Sequence, residues 1–292
     1  MVEEIFAKRI LNKHKQRDPW FLDEYSVNPY GSCDYACIYC YIHGSKYGSK
    51  KLMAKINAPQ LLDKELARLS RRRRYGFIAL SSATEAWMHI EEKYMLTRKC
   101  LGIIAKYRFP VHVLTKSTLI LRDIDILRRI DKEAILPSDL RGRLNNGVLI
   151  TFSFSTLNKE IAKIFEPNAP SPNQRLDAIQ KLKEEGFCVG IAFIPILPYI
   201  SDSNEELETL VRTAKNVDVN YIFFGNLTLH REGKKVYFAV LSKYFPELKE
   251  KYTRLYGSRF YPHRDYLNSL YKRAYFIARK YRIKVGILGN SK

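Results

Sequence analysis

Short apolar runs alternate with amphipathic stretches along most of the chain, and each kind of pattern predicts a different element. The runs of strand type are residues 25–27, 77–81, 111–114, 148–154, 189–196 and 221–227. Between them, apolar residues recur at helical spacing, as at Leu62, Leu66 and Leu69 in a predicted helix over residues 57–74. A strand followed by a helix, repeated about six times, indicates a parallel sheet. We therefore predict an α/β fold, a partial (β/α)6 barrel of the TIM type.

Capping signals mark the limits of several predicted helices. Asn57 is a candidate N-cap, and Pro59 suits the first turn of the helix that follows it. Ser203 and Glu206 have the spacing of a capping box, and Gly186 is well placed to end a helix. Polar motifs fall after the predicted strands, at the edge where parallel α/β folds collect their sites.

The two ends of the chain differ from this core. Residues 1–24 are basic and are predicted to form a short helix and a linker, and residues 25–228 form the predicted barrel. Residues 229–292 are a basic, mainly helical C-terminal extension with 16 Lys or Arg, 4 Asp or Glu and 9 Tyr. Within this extension, residues 263–281 have the apolar spacing of an amphipathic helix that packs on the core.

The charge balance indicates a class of partner. The chain has 50 Lys or Arg against 30 Asp or Glu, a formal net charge of +20. Such a field favours DNA or RNA through phosphate contacts, although a solubilising surface explains the same composition. No apolar stretch is long enough for a membrane span, and the N-terminus does not resemble a signal peptide. We expect a cytoplasmic protein with reduced thiols, of undetermined oligomeric state.

Cys33, Cys37 and Cys40 form a C-x3-C-x2-C run within the segment NPYGSCDYACIYCYIH, residues 28–43. An odd number of cysteines disfavours a disulfide. Three thiolates hold three irons of a 4Fe–4S cluster and leave the fourth iron open to a small molecule. Alternatively, His43 completes a Cys3His set for structural zinc. The residues alone leave both metals open.

The cysteine run, with the aromatic Tyr39 before its last cysteine, resembles the signature of the radical S-adenosylmethionine (SAM) enzymes. The wider segment is similar to the branch of spore photoproduct lyase and its relatives. This resemblance implies that the three cysteines hold a 4Fe–4S cluster whose open iron binds SAM. It also implies that an external one-electron reductant drives cleavage of SAM to a 5′-deoxyadenosyl radical, which abstracts hydrogen from a substrate.

The resemblance extends over residues 10–230 through several short motifs. Residues 84–91, TEAWMHIE, are similar to the family segment T-D-P-Y-x-P-x-E, with Glu85 in place of Asp and Ala86 in place of Pro. The remaining matches are Leu96-Thr-Arg98, Thr115-Lys-Ser117, Leu121-Arg-Asp123, Ser153-Phe-Ser155, Glu166-Pro167, Arg175 and Ile194-Pro195.

These motifs imply contacts to SAM. A cation at Lys116 or Arg175 suits the SAM carboxylate, and the hydroxyls of Thr84 and Ser153 suit its ammonium and ribose. Two further contacts, to the adenine, are expected from Tyr39 and Ile194. Lys116 and Ser153 are the preferred residues by resemblance, and Arg175 forms, in an alternative interpretation, a structural ion pair with Glu166.

The chain departs from the lyase at one position. There, a cysteine after the second strand returns hydrogen to the product radical, whereas Ala83 stands at the equivalent position here. Cys100 and Cys188 have the pattern of core residues. We therefore do not expect thymine-dimer repair by that route, and the catalytic residues stay unassigned. Two rival functions stay open: radical SAM chemistry on a peptide or small molecule, and a zinc-stabilised nucleic-acid-binding module without catalysis.

Overall fold

The computed structural model describes residues 2–42, 51–80 and 83–289. Its strands are β1 Glu3–Ile5, β2 Leu11–Lys13, β3 Asp23–Val27, β4 Tyr30–Gly31, β5 Met53–Lys55, β6 Phe77–Leu80, β7 Val111–Thr115, β8 Val148–Phe154, β9 Cys188–Ile196 and β10 Tyr221–Asn226. Its α-helices are α1 Ala58–Arg71, α2 Glu91–Tyr94, α3 Leu96–Lys106, α4 Ile124–Glu133, α5 Lys159–Phe165, α6 Pro172–Glu184, α7 Asn204–Asn216, α8 Arg231–Tyr244, α9 Lys249–Tyr256 and α10 Arg264–Lys280.

The larger sheet has the strand order β10-β9-β8-β7-β6-β3-β2. The neighbours from β3 to β8 pair in parallel, with Leu80 opposite Val27 and Val113, and Val113 opposite Ile150. All seven residues of β8 are buried and five of them are apolar, as expected for a parallel strand that is covered on both faces. The α/β class and the six strands predicted from hydrophobic runs are confirmed.

Short strands correct the prediction for residues 1–24, with β1 in a second sheet of order β1-β5-β4 and β2 at the edge of the larger sheet. The expected short helix is wrong: β1 pairs in parallel with β5, and β2 pairs antiparallel with β3. Three-residue strands are too short to show an alternating pattern, so their partners decide their conformation. The carboxylate of Glu65 accepts a hydrogen bond from the backbone N–H of Leu11 at 2.9 Å and fixes the start of β2.

Two helix starts illustrate which capping signals are reliable. Ser203 caps α7, since its hydroxyl accepts from the backbone N–H of Glu206 at 3.1 Å, as predicted. Asn57 precedes α1 but its side chain does not cap it. Its amide instead makes two 2.9 Å hydrogen bonds to the backbone N–H and carbonyl of Ala7. Asn57 therefore occupies the predicted N-cap position without a side-chain capping bond, because its amide bonds to a tertiary partner instead.

The chain divides into two compact units. One comprises residues 1–34, 49–152 and 178–190, and the other residues 35–48, 153–177 and 191–292. In the second unit, α10 buries Leu270, Ala274 and Ile277 and lies against α7 and β10. The boundaries predicted from sequence, at residues 24 and 228, stay a prediction. In the described residues, no helix has both the length and the apolar character needed to cross a membrane.

A buried histidine in the first unit predicts a pH dependence of stability. Burial lowers the pKa of His112 to about 4. Its Nδ1 lies 2.9 Å from the carbonyl oxygen of Phe21, which only accepts, so Nδ1 carries the proton. Its Nε2 then accepts from the hydroxyl of Thr151 at 2.7 Å. The folded protein therefore holds a neutral imidazole, whereas the unfolded chain protonates it near pH 6.5.

Between pH 4 and pH 6.5 the unfolded chain binds a proton at His112 that the folded protein does not bind. The free energy of unfolding that depends on His112 is therefore at its full value above pH 6.5 and falls as the pH falls toward 4. We expect His112 to account for about 3 kcal/mol of the loss in unfolding free energy over that range. Urea denaturation at pH 7 and pH 4 measures this loss. The His112→Gln variant should show a correspondingly smaller difference, and an equal difference in both proteins would contradict the assignment.

Candidate functional site

The cysteine loop follows β3 and β4, and its backbone is tightly turned. Ser32 and Ala36 adopt left-handed conformations with φ of 63° and 51°. The backbone N–H of Cys40 donates to the carbonyl oxygen of Cys37 at 3.0 Å. Turns of this kind reverse the chain within a few residues and bring cysteines spaced by three and two residues onto one short loop.

The three thiols are free of disulfides. Cys37 is buried, Cys33 and Cys40 are half-buried, and Cys33 packs against an apolar cluster that includes Tyr30 and Met88. Within the described ranges, no three His, Cys, Asp or Glu side chains are gathered into a metal-binding group. His43, the fourth ligand of the zinc alternative, lies outside the described residues. The metal ligands are therefore inferred from donor chemistry and spacing.

Tyr39 belongs to a buried polar network in the second unit. Its hydroxyl donates to Oε1 of Glu166, which also accepts from the hydroxyl of Ser155 at 2.8 Å. The other carboxylate oxygen, Oε2, pairs with the guanidinium of Arg175. Burial, followed by the charge of Glu166, raises the pKa of Tyr39 well above its usual range. The phenol therefore stays protonated and donates, so it holds the segment between Cys37 and Cys40 to this network.

Arg175 is 1% exposed and its guanidinium has three protein acceptors. It donates to the carbonyl oxygens of Pro170 at 2.7 Å and Ser153 at 3.0 Å, besides its pairing with Glu166. This arrangement is the structural ion pair that the sequence left open as an alternative. Its predicted contact with the SAM carboxylate stays a prediction.

Ser153 and Ile194, two of the residues predicted to contact SAM, are neighbours in the second unit. The hydroxyl of Ser153 donates to the carbonyl oxygen of Ile194 at 2.9 Å, and the peptide bond from Ile194 to Pro195 is cis. Gly225 on β10 makes room for this strand end, because a Cβ there would lie 2.7 Å from Cγ1 of Ile194. The close approach keeps the half-buried Ile194 side chain in place at the carboxyl end of β9.

Thr84 and Lys116 follow β6 and β7, two adjacent parallel strands of the first unit. The Oγ1 atom of Thr84 is buried and has no hydrogen-bond partner among the described residues. Beside it in sequence, Glu85 is buried and accepts from the hydroxyl of Thr115 at 2.6 Å and from the backbone N–H of Lys116 at 2.8 Å. Burial raises the pKa of Glu85, and these hydrogen bonds oppose the rise. Glu85 thereby joins the two strand ends that carry Thr84 and Lys116.

The other matched motifs of this unit form a second buried network around Glu91 and Asp123, both fully buried. Glu91 accepts from the hydroxyl of Tyr30, the backbone N–H of Thr97 at 2.9 Å and Nη2 of Arg122 at 2.8 Å. Arg98, a matched motif residue seven positions after Glu91, does not form an ion pair with it. Instead, the guanidinium of Arg98 pairs with Asp123 and Asp125 at 2.8 Å each, and only its backbone N–H reaches Glu91.

Sequence reasoning missed the role of Asp123. Its carboxylate accepts from the indole N–H of Trp87 at 2.8 Å and pairs with Arg98 and Arg122. The motif match at Arg122-Asp123 pointed to this residue. Its partners Trp87 and Arg98 could not be identified from the sequence, because they lie 36 and 25 residues away in the chain. The motif residues therefore fall into two groups. A few lie at strand ends, and the others form buried hydrogen bonds and ion pairs with one another.

Ala83, which the sequence predicts to stand in place of the lyase cysteine, has no thiol. Ala83 donates its backbone N–H to Oδ1 of Asn28 at 3.1 Å. Cys100 is fully buried in α3, and burial raises the pKa of its thiol. Cys188 is half-buried at the start of β9, which is the amino end of the strand. Neither thiol lies at the carboxyl end of a strand, and the hydrogen donor stays unassigned.

Comparison with known proteins adds a family and a fold. Residues 27–214, more than half of the chain, match the model of the Radical SAM superfamily. An uncharacterized protein of Methanocaldococcus jannaschii is 32% identical over 236 residues, covering 78% of each chain. An uncharacterized protein of Mycobacterium tuberculosis is 26% identical over 292 residues, covering 96% of this chain and 81% of its own.

Solved structures of spore photoproduct lyase are similar to the whole fold. One of them, a cysteine-to-serine mutant, has a TM-score of 0.70 at 16% identity and covers 97% of this chain and 80% of its own. Another, described with bound AdoMet and dinucleoside spore photoproduct, also has a TM-score of 0.70, at 17% identity. The likeness agrees with the predicted partial barrel.

Proposed function

Because the chain belongs to the radical SAM superfamily, we propose that it cleaves SAM reductively at a 4Fe–4S cluster and abstracts hydrogen from a nucleic-acid substrate. Enzymes of this superfamily use a 4Fe–4S cluster and SAM. The observation that carries the proposal is the C-x3-C-x2-C loop with three unlinked thiols inside the matched region. When bound, the cluster and SAM supply the 5′-deoxyadenosyl radical, and an external one-electron donor supplies the electron.

Cys33, Cys37 and Cys40 hold the cluster in this proposal. Thiolates are the ligands that iron–sulfur clusters prefer, and three of them suit a site with one open iron. Superfamily membership favours iron over the zinc alternative. We propose the cytoplasm as the protein's location, because thiolates and an iron–sulfur cluster persist in a reducing compartment.

The residues proposed to hold SAM are those at the strand ends. Thr84 supports this assignment best, since its buried hydroxyl lacks a partner among the described residues and an incoming ammonium would supply one. Lys116 supplies a cation for the carboxylate, with its backbone fixed by Glu85. Ile194 offers a carbonyl and an apolar surface to the adenine, and Ser153 steadies that carbonyl. Tyr39 contributes backbone and ring contacts from the cysteine loop.

Two observations support a nucleic-acid substrate. The C-terminal extension carries a large excess of positive charge, which attracts phosphate groups. In addition, a spore photoproduct lyase of similar fold is described with a bound dinucleoside. Because Ala83 replaces the hydrogen-returning cysteine, we propose a substrate position or product different from that of the lyase.

Helix α10 presents a surface suited to an unpaired nucleotide. Lys272, Phe276 and Arg279 recur at helical spacing and are all exposed, with Phe276 70% exposed. Neither Lys272 nor Arg279 forms an ion pair with another described residue. An exposed ring between two cations stacks on a base while the cations contact phosphates.

This surface predicts a measurable change in binding. The Lys272→Gln/Arg279→Gln variant should lower the slope of log Kd against log salt by about 1.4 for a single strand, since two phosphate contacts are lost. Phe276→Ala should weaken binding about tenfold without changing the slope, since it removes one stacking platform. Fluorescence anisotropy with a labelled 20-nucleotide DNA and the same RNA sequence measures both.

The matched control is Lys159→Gln/Lys163→Gln on α5, which removes equal charge from two exposed lysines. Equal effects in both double variants would assign the binding to net charge alone. The substrate itself is tested by adding DNA, RNA or a peptide mixture to reduced enzyme and measuring 5′-deoxyadenosine. Stimulation by the peptide mixture alone would replace nucleic acid by a peptide substrate.

A further inference from the structure

Four consecutive arginines, Arg71 to Arg74, occupy the last position of α1 and the turn that follows it. All four are exposed, and none forms an ion pair with another residue of the described chain. Many other surface cations are paired, including Lys106 with Asp63 at 2.6 Å and Arg98 with Asp125 at 2.8 Å. These four neighbouring residues therefore form a concentration of unneutralised positive charge.

The backbone of the turn is fixed and all four side chains are exposed, with Nε of Arg71 donating to the carbonyl oxygen of Ala67 at 3.3 Å. Arg73 adopts a left-handed conformation with φ of 51°, and its N–H donates to the carbonyl oxygen of Ser70 at 2.9 Å. The N–H of Arg74 donates to Leu69 at 3.0 Å, and its carbonyl oxygen accepts from the hydroxyl of Tyr25 at 3.3 Å. The guanidinium groups thus start from a rigid support, which lowers the entropy lost when they bind.

The turn before the next strand repeats this arrangement. Arg108, three residues before β7, is exposed and has φ of 60°. Its N–H donates to Ala105 at 3.0 Å and its carbonyl oxygen accepts from the N–H of Ile135 at 2.8 Å. Arg141 and Arg143, in the segment before β8, are exposed as well. Each of three successive turns therefore presents arginine.

Strand pairing brings these turns to one edge. β6, β7 and β8 are parallel neighbours, with Val111 opposite both Ile78 and Val148. Adjacent strands lie about 4.8 Å apart, so the amino ends of three strands span about 10 Å. That span equals the rise of about three nucleotides in one strand of a duplex. Thr84 and Lys116 follow the same strands and therefore lie at the opposite, carboxyl edge.

A structural role explains only part of this charge. The carboxyl end of a helix carries about half a negative charge, which one cation balances. Four neighbouring guanidinium groups repel one another unless a polyanion lies against them. Arginine also matches phosphate oxygens through its forked N–H groups, which lysine does not.

We propose that this arginine edge, defined as Arg71–Arg74, Arg108, Arg141 and Arg143, binds the phosphate backbone of a nucleic acid. This inference rests on the proposed function, which supplies nucleic acid as the class of partner. It adds a second contact to that partner, at the edge of the sheet opposite Thr84 and Lys116. The contact is to phosphate, so it is independent of base sequence. A substrate gripped in this way is longer than the few nucleotides that reach a reaction centre.

The test compares two variants of equal net charge. Arg71→Gln/Arg72→Gln/Arg73→Gln/Arg74→Gln removes the turn's charge, and Lys159→Gln/Lys163→Gln/Lys181→Gln/Lys215→Gln removes four exposed lysines elsewhere. The probe is a fluorescein-labelled 20-base-pair DNA duplex, titrated between 50 and 200 mM KCl. We expect the arginine variant to lower the slope of log Kd against log salt by about 3.6, and the lysine variant by less than 1.

The proposal is overturned if both variants lower the slope of log Kd against log salt equally, or if neither variant lowers it. If the fourfold arginine variant does not fold, Arg72→Gln/Arg74→Gln should still lower the slope by about 1.8. The thermal midpoint reports folding in each case. The titration uses neither SAM nor reductant, so its outcome is separate from the proposed reaction. Arginine-dependent binding without nucleic-acid-stimulated 5′-deoxyadenosine release would refute the substrate and leave the arginine edge standing.

Discussion

The Cys37→Ala variant is expected to release no 5′-deoxyadenosine above background, whereas the wild-type protein releases it from SAM. Cys37 is the middle ligand of the proposed cluster, and only two of the three thiols remain without it. Because the two remaining thiolates leave one iron of the cluster without its protein ligand, the iron content and the acid-labile sulfide content of the protein should fall together. The measurement is product release by protein reconstituted anaerobically and reduced chemically, with iron and sulfide determined on the same sample.

Cys188→Ala is the matched control. This half-buried cysteine lies outside the loop, so its variant should keep both the cluster and the activity. Full iron and sulfide without product in the wild type would indicate that substrate must bind before SAM is cleaved, or that the protein transfers electrons only. A wild-type protein that retains zinc in place of iron would make the zinc-stabilised binding module the better interpretation.

The Glu166→Ala variant is expected to lose about 3–5 kcal/mol of unfolding free energy, the usual cost of removing one partner of a buried ion pair. Glu166 and Arg175 are 3% and 1% exposed, so the remaining guanidinium would stay charged without its counter-ion. The hydroxyls of Tyr39 and Ser155 would lose their acceptor as well. Urea denaturation at pH 7 gives the change.

Two comparisons test this assignment. Glu184→Ala removes an exposed carboxylate from α6 and should change the stability by less than about 0.5 kcal/mol. The double variant Glu166→Ala/Arg175→Met should be more stable than the sum of its single variants predicts, because it leaves no buried charge without a partner. A cost below 1 kcal/mol for Glu166→Ala would show that water reaches the pair and screens it.

The stability of this ion pair also bears on the cysteine loop. Tyr39, between two of the cysteines, donates to Glu166, and the backbone N–H of Ile38 donates to the carbonyl oxygen of Phe165 at 2.8 Å. The Glu166–Arg175 network thus fixes the position of the cysteine loop. Its motif residues act by hydrogen-bonding to the loop and to neighbouring backbone.

The sequence by itself determined the strands of the core and indicated a metal site. The run at residues 148–154 predicts a strand because a parallel strand covered on both faces favours apolar side chains at most of its positions. Ser203 predicts its helix start because the cap bonds to a residue only three positions away. The spacing of Cys33, Cys37 and Cys40 likewise indicates a metal site, since close ligands need only a turn to meet.

Only the tertiary structure decided the pairings between distant residues. In the folded protein Glu91 pairs with Arg122, 31 residues away, rather than with Arg98. The side chain of Asn57 likewise bonds to the backbone of Ala7 instead of capping its own helix. The tertiary structure also made strands of residues 3–5 and 11–13, whose own pattern is too short to show a period. Local signals rest on bonds within one turn of the chain, whereas these choices depend on which segments the folded core brings within hydrogen-bonding distance.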